Sequence, residues 1–353
     1  MAIACKPALV VPEYCFDEDT LESTAKLFLG ENFPRLRSIL KMIKNAGVKQ
    51  RFLVQPIEET LNHPGVKARN DLYISEVKRM GEQAAIEALE NANVNAEDID
   101  LIITTSCTGF MIPSLDAYLI PKMGFKRTTK RVPITELGCA AGAVALSRAR
   151  EFCEAYPGSN VLIVAAELCS LTFQPQDLSM QALVSGIIFG DGVAACVVKD
   201  DLSNSGMRLE RNASHLFEDS WNYMGFDLKD TGFHIILDRG IPGAVDKQIA
   251  PVLKSFVAET QLTPADLNFF CIHPGGRRVI DEIKNTFELQ EKDVAASRAC
   301  LAEVGNLSSA SVLVVLKNLF ERFRPAHDDK GLLAAFGPGF SAEMSLGTWH
   351  EAS

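Results

Sequence analysis

Apolar and polar positions follow one another in the same order twice along this chain. In the first half, apolar residues at helical spacing from 73 to about 91 precede a polar turn and an apolar run at 99–105, which is typical of a buried strand. In the second half, a helical pattern from 245 to about 261 precedes a capped turn and an apolar run at 267–272. The pattern therefore predicts two similar helix–turn–strand units.

The likeness between the halves continues past these strands. Residues 134–146 align with residues 301–313 without a gap, with Cys139 over Asn306. Such a repeat predicts an α/β fold of two similar halves related by a pseudo-two-fold axis, near which equivalent elements meet. His273 follows the strand of the second unit, so this symmetry predicts that Cys139, His273 and Asn306 converge.

Further apolar runs predict where the remaining core strands lie. They fall at 160–166, 192–198, 331–336 and 342–349. The polar stretch 199–206 separates the two halves, so we expect an N-terminal half over residues 1–205 and a C-terminal half over residues 206–353.

Composition excludes several classes of function. A net charge of −10 argues against general nucleic-acid binding, and no apolar run near 18 residues predicts a membrane span. The nine cysteines have no regular spacing, which indicates free thiols and neither a disulfide framework nor a metal site. The first residues lack the features of a signal peptide, so we expect a cytoplasmic protein.

Cys139 is the candidate nucleophile. It lies on a glycine-flanked turn that opens a predicted helix, where unpaired N–H groups favour a thiolate. An isolated cysteine of this kind is more often a small packing residue. The predicted convergence with an imidazole, His273, and an amide, Asn306, supplies what cysteine catalysis needs, namely a base and an oxyanion donor.

A basic cluster early in this acidic chain needs its own explanation. If the segment after Pro34 is helical, Arg37, Lys41 and Lys44 share one face, opposite an apolar stripe. That face is either a polyanion site or simply a solvated helix surface.

With these residues assembled, the chain resembles the type III polyketide synthases, the chalcone synthase-like family, over nearly its whole length. The resemblance rests on five motifs: Leu137-Gly-Cys-Ala-Ala-Gly142, Phe189-Gly-Asp-Gly192, His273-Pro-Gly-Gly276, Gly305-Asn306 and Phe336-Gly-Pro-Gly339. It implies a thiolase-like fold, a homodimer, malonyl-CoA and an acyl-CoA starter as substrates, and no bound cofactor.

The resemblance also implies roles for individual residues. Cys139, His273 and Asn306 would be catalytic, and Phe189 would be a gatekeeper beside them. The substrate cavity would be lined by Cys107, Cys169, Thr172, Ser185, Phe233, Gly337, Pro338 and Gly339. The CoA phosphates would be held by Lys41, by Arg37 and Lys44 in place of other basic positions, and by Arg277 and Arg278.

The motifs do not agree on a subfamily. Residues 106–115, 207–211 and 230–234 are similar to bacterial tetrahydroxynaphthalene and phloroglucinol synthases, which use malonyl-CoA alone. Residues 166–175 and 223–226 are more similar to alkylpyrone and alkylresorcinol synthases, which extend medium or long acyl-CoA starters. We prefer the second interpretation because the cavity positions are small. A fatty-acid-initiating ketoacyl synthase and a non-enzymatic binding protein are the more distant alternatives.

Overall fold

The computed structural model describes residues 1–238, 240–244 and 248–352, which form an α/β fold as predicted. The helices are α1 (Glu18–Leu29), α2 (Leu36–Asn45), α3 (Ile57–Leu61), α4 (Val66–Ala92), α5 (Leu115–Met123), α6 (Ala141–Ala155), α7 (Met180–Ile188), α8 (Ile241–Ala244), α9 (Ala250–Ala258), α10 (Arg277–Thr286), α11 (Ala295–Val304) and α12 (Ser311–Glu321). The strands are β1 (Ala2–Ala4), β2 (Ala8–Val10), β3 (Tyr14–Asp17), β4 (Gln50–Leu53), β5 (Leu101–Thr105), β6 (Lys130–Ile134), β7 (Asn160–Leu168), β8 (Asp191–Lys199), β9 (Gly206–Leu216), β10 (Met224–Lys229), β11 (Gly232–Leu237), β12 (Phe269–Ile272), β13 (Lys330–Gly337) and β14 (Ser341–His350).

The two predicted helix–turn–strand units are present, but their helices begin and end at other residues than predicted. The helix predicted from 73 begins seven residues earlier, at Val66. Its first turns contain Arg69, a buried charged residue that interrupts the apolar spacing used to find the helix start. The second predicted helix is α9, and Val245, the predicted start, lies outside the described residues. That helix ends at Ala258, before Gln261, whose φ of 62° is left-handed.

The strand order reflects the predicted two-fold relation. The main sheet runs β12-β13-β14-β9-β1-β8-β7-β5-β6, and β2 also pairs with β8. In each half a parallel pair, β5–β7 or β12–β13, is followed by an antiparallel neighbour, β8 or β14. The antiparallel pair β1–β9 lies between the halves, so the pseudo-two-fold axis passes near it.

Helices α6 and α12 lie between the two halves of the sheet and share one apolar core with both. Their contact is close, since a Cβ on Gly142 would be 2.1 Å from the carbonyl oxygen of Ser309. Gly142 and Ser309 are equivalent positions in the sequence repeat. The prediction that equivalent helix starts meet is therefore confirmed.

Two elements that the sequence analysis did not assign cover one end of this framework. They are helix α1, which buries none of its side chains fully, and the β10–β11 hairpin. Across the described part of the chain, no helix is both long and apolar enough to cross a membrane.

Candidate active site

The turn that carries Cys139 is fixed by its contact with the loop after β13. Gly138 has a φ of 49°, and a Cβ there would be 2.7 Å from the Pro338 ring. Only glycine combines that backbone conformation with so close an approach. Cys139 follows in a single 3₁₀ turn that leads directly into α6, and its side chain is buried.

Asn306 lies against the thiol, as the repeat predicted. Its Nδ2 is 4.0 Å from Cys139 Sγ. Its Oδ1 accepts hydrogen bonds from the Ser308 backbone N–H at 2.8 Å and from Ser311 Oγ at 3.2 Å. Because a backbone N–H can only donate, the atom facing it is the oxygen, and the amide N–H groups are directed toward the thiol.

His273 is carried to the same end of the sheet by β12. Its backbone N–H donates to Ala334 on the neighbouring strand β13, at 2.8 Å. The same strand continues into Gly337, which packs against the turn that holds Cys139. The His273 side chain is buried, and neither ring nitrogen has a hydrogen-bond partner among the described residues. Neither nitrogen is therefore engaged by another group in the described parts of the chain.

Burial opposes the thiolate that the sequence analysis expected at Cys139, and it also opposes a positive charge on His273. It raises the pKa of the Cys139 thiol to about 12 and lowers the pKa of the His273 imidazole to about 3. In the unliganded protein the structure thus favours a neutral thiol and a neutral imidazole. The helix start, which favours a thiolate, and burial, which favours the thiol, therefore act in opposite directions on Cys139.

A buried carboxylate, Glu167, is close enough to Cys139 for its charge to raise the pKa of the thiol, and the sequence analysis missed it. It accepts hydrogen bonds from the Cys107 backbone N–H at 3.1 Å, from Thr108 Oγ1 at 2.8 Å and from Ser309 Oγ. Burial raises its pKa. The available signal was a glutamate next to the apolar run at 160–166, which is the rest of strand β7.

One large cavity joins most of the predicted substrate residues. Its volume is about 1030 Å³, and its lining includes Cys139 and Phe189. Of the predicted lining residues it contains Cys107, Cys169, Thr172, Ser185, Phe233, Pro338 and Gly339, but not Gly337. His273 and Asn306 also lie outside the lining. An apolar lobe extends the cavity below α1, α2 and α3, where it is lined by Leu21, Phe28, Ile39, Ile43, Leu61 and Leu183.

Comparison with known proteins decides the family. The N-terminal domain of chalcone and stilbene synthases matches residues 5–202, and the C-terminal domain matches residues 208–347. The chain belongs to the chalcone and stilbene synthase family. It is 45% identical to the 1,3,6,8-tetrahydroxynaphthalene synthase of Streptomyces coelicolor, over 100% of this chain and 93% of that protein.

Other relatives agree with this assignment. The chain is 39% identical to a phloroglucinol synthase of Pseudomonas fluorescens, over 99% of both chains. The crystal structure of the Streptomyces coelicolor enzyme superposes with a TM-score of 0.96 at 44% identity, covering 99% of this chain and 100% of that one. This protein is therefore a type III polyketide synthase, an acyltransferase with the thiolase-like fold.

In this polyketide synthase the two predicted groups of basic residues are neighbours. A Cβ on Gly47, just after α2, would be 3.5 Å from the Arg277 Cβ at the start of α10. Two members are already paired, Lys44 with Glu22 at 3.4 Å and Arg277 with Asp281 at 3.6 Å. Within the described ranges the remaining three, Arg37, Lys41 and Arg278, form no ion pair, and none of the five lines the cavity.

Phe189 joins the two halves of the enzyme through its backbone. It forms an isolated bridge with Asn306, in which Gly190 N–H donates to the Asn306 carbonyl at 3.1 Å. The Asn306 N–H in turn donates to Ile188 at 2.9 Å. These backbone hydrogen bonds fix the position of the predicted gatekeeper, Phe189, relative to the predicted oxyanion donor, Asn306.

Proposed function

We propose that this enzyme condenses malonyl-CoA units on Cys139, with malonyl-CoA itself as the starter, and cyclises the chain to a polyhydroxylated aromatic product. The full-length identity with a tetrahydroxynaphthalene synthase supports the choice of substrate. The observation that carries the condensing role is the 4.0 Å approach of Asn306 Nδ2 to Cys139 Sγ. His273, with its free ring nitrogens, supports the same role.

Loading starts from the neutral pair. As Cys139 Sγ attacks the thioester carbonyl, His273 takes the thiol proton and then gives it to the departing CoA sulfur. An S–acyl bond forms at Cys139 while the acyl–CoA bond breaks, and His273 is neutral again. Burial keeps the pKa of His273 low, so it returns the proton readily.

Decarboxylation uses the two donors. The His273 N–H and the Asn306 amide donate to the thioester oxygen of malonyl-CoA. When the bond to the carboxylate breaks, its electron pair forms an enolate, whose charge these donors stabilise. The enolate carbon then bonds to the acyl carbon while the bond from that carbon to Cys139 Sγ breaks. The thiolate released at Cys139 takes a proton from water, which restores the neutral pair for the next loading. Phe189 supplies an apolar wall that favours loss of the charged carboxylate as carbon dioxide.

An acyl-CoA starter remains the second candidate, because of the apolar lobe below α1, α2 and α3. An alkyl chain gains about 0.8 kcal/mol per buried CH₂, so a lobe of this kind favours a medium or long tail. The relatives favour the malonyl-primed alternative over this one.

The remaining proposals concern binding partners and location. The basic residues near the start of α10 and the end of α2 would hold the CoA phosphates. Cyclisation and condensation need only the thiol, imidazole and amide groups, so we propose no bound cofactor. We place the enzyme in the cytoplasm, where CoA thioesters are made.

We also propose a homodimer that buries the face around β6. Phe110 is 61% exposed and Ile112 is 79% exposed, both on the loop after β5. Among the described residues, β6 pairs only with β5, so its other edge is open. Open strand edges and exposed apolar side chains are features that proteins cover by association. Light scattering at working concentration tests this proposal.

Product analysis tests the substrate proposal. The enzyme would be incubated with malonyl-CoA alone and, in parallel, with malonyl-CoA plus acyl-CoAs of increasing length. An aromatic product without any added starter is the expected result. Products only in the presence of a long acyl-CoA would favour the second candidate. Absence of both condensation and malonyl-CoA decarboxylation would refute the enzyme activity itself.

A further inference from the structure

Arg51, on β4, is a buried cation whose side-chain hydrogen bonds lie at Gly186 and at Phe189, the predicted gatekeeper. Its side chain is 5% exposed, and burial lowers its pKa to about 10, so it stays charged at neutral pH. No carboxylate lies within ion-pair distance of it in the described parts of the chain. The charge of Asp191 raises the pKa of the guanidinium and offsets part of the cost of burial, but the two groups form no ion pair among the described residues. Its position therefore needs a specific reason.

The guanidinium binds the C-terminal end of α7. Its Nη1 donates to the carbonyl oxygen of Gly186 and, at 3.1 Å, to that of Phe189. A positive charge is stabilising at this end of a helix, where carbonyl groups lack partners. Arg51 thus holds the end of α7, immediately before Phe189, in place.

A second contact joins β4 to the segment after α7, and here the side chain belongs to that segment and the backbone group to the end of β4. Asp191, two residues after Phe189, accepts from the backbone N–H of Val54 at 2.9 Å, and Val54 directly follows β4. Its other hydrogen bonds come from the Ser170 N–H at 2.7 Å and Ser170 Oγ at 2.5 Å. The segment from Phe189 to Asp191 is therefore hydrogen-bonded at both of its ends, to Arg51 on β4 and to Val54 just after β4.

The stem of Arg51 also touches the backbone that carries Asn306. A Cβ on Gly190 would be 3.3 Å from the Arg51 Cβ, and one on Gly305 would be 3.6 Å from it. These two glycines flank the bridge between Phe189 and Asn306. Arg51 thus contacts both sides of the junction at which the gatekeeper and the oxyanion donor are held together.

We propose that Arg51 is a positioning residue for the decarboxylation step, holding Phe189 and Asn306 in the register that this step requires. The proposal rests on the proposed condensing function. Cys139 has a different support, the loop formed by Pro338 and its neighbours. Loss of Arg51 should therefore affect decarboxylation more than the reactivity of the thiol.

The test compares Arg51→Gln and Arg51→Lys with wild-type enzyme. Two rates are measured: release of carbon dioxide from malonyl-CoA, and alkylation of Cys139 by iodoacetamide. For Arg51→Gln we expect kcat for decarboxylation to fall by about tenfold or more, with KM and the alkylation rate within about threefold of wild type. Arg51→Lys should lie between, because an ammonium group keeps the charge but not the planar guanidinium. It also keeps the test valid if Arg51→Gln does not fold.

Arg69→Gln is the matched control. Arg69 is equally buried and also donates to backbone carbonyls, those of Thr60 at 2.9 Å, Leu171 at 3.1 Å and Phe173. Its loss should lower thermal stability without changing the ratio of decarboxylation to alkylation. An equal fall of that ratio in Arg69→Gln would overturn the proposal, as would unchanged decarboxylation in Arg51→Gln.

Two further outcomes would distinguish a positioning role from direct substrate binding and from failure of the proposed function. A raised KM for malonyl-CoA with unchanged kcat would mean that Arg51 contacts the substrate directly, which also contradicts a positioning role. If wild-type enzyme released no carbon dioxide from malonyl-CoA, the proposed function itself would fail. Wild-type release with no change in the Arg51 variants would refute only the role of Arg51.

Discussion

Replacing Asn306 by alanine removes an amide that the structure directs at the thiol. Loss of a single oxyanion donor costs about 2.7–4 kcal/mol in transition-state stabilisation, which is a fall of roughly 10²–10³ in kcat. We therefore expect malonyl-CoA decarboxylation by Asn306→Ala to fall by that factor. Alkylation of Cys139 should change much less, because the thiol and His273 remain.

The same substitution also has a structural cost that must be separated from the catalytic one. The Ser308 N–H and Ser311 Oγ lose their acceptor, and a buried unsatisfied group costs about 1–3 kcal/mol of stability. Asn318→Ala is a matched control, since Asn318 is also buried and its Nδ2 donates to Ala296 at 3.1 Å. That variant should lose stability without losing the chemical step.

Carbon dioxide release and the thermal midpoint, both measured on the purified variants, distinguish these effects. Asn306→Ala should lose decarboxylation at a temperature well below its own unfolding transition, whereas Asn318→Ala should not. Near-normal carbon dioxide release by Asn306→Ala would refute the oxyanion role. Equal losses in the two variants would show that the effect follows the loss of a buried amide in general.

Three other predictions follow from the site. Peptide mass mapping after incubation with a CoA thioester substrate should place the acyl group on Cys139, and an adduct on Cys107 or Cys169 would refute that assignment. Because burial raises the pKa of Cys139 and lowers that of His273, the thiolate fraction of free enzyme should grow with pH, so iodoacetamide alkylation should accelerate steadily from pH 6 to pH 9. A rate independent of pH over that range would instead indicate a preformed ion pair. For the second candidate function, an acyl-CoA starter, Ser185→Phe or Cys169→Phe should reduce turnover of long acyl-CoAs while sparing acetyl-CoA, since a packed wall relaxes only partly; unchanged length selectivity would show that neither residue lines a tail site.

The sequence repeat was sufficient to predict the convergence of Cys139 and Asn306, because equivalent positions of a two-fold repeat meet at its axis. The structure confirms that contact through Nδ2 and Sγ. The ionisation of Cys139 could not be predicted in the same way. The helix start argued for a thiolate, but the degree of burial depends on the Pro338 loop, which is distant in sequence.

Other parts of the site escaped sequence analysis for a different physical reason. Arg51, on the half-buried strand β4, and Glu167, on the buried strand β7, are charged residues, and hydrophobic periodicity treats such positions as exposed. Each is buried because backbone or side-chain groups from distant segments satisfy it, and a pattern along one segment does not contain those partners. The apolar lobe was missed for a similar reason, since its lining comes from four separate helices, α1, α2, α3 and α7, the last of which is distant in sequence from the others.

The most direct test of the account is the labelling pattern made from uniformly ¹³C-labelled malonyl-CoA in the absence of any other acyl-CoA. A malonyl-primed synthase should release an aromatic product in which every carbon is labelled, and Cys139→Ala should release none. An aromatic product that forms only after an unlabelled acyl-CoA is added, and that retains its unlabelled chain, would contradict the proposed starter. Labelled product from Cys139→Ala would contradict the proposed nucleophile.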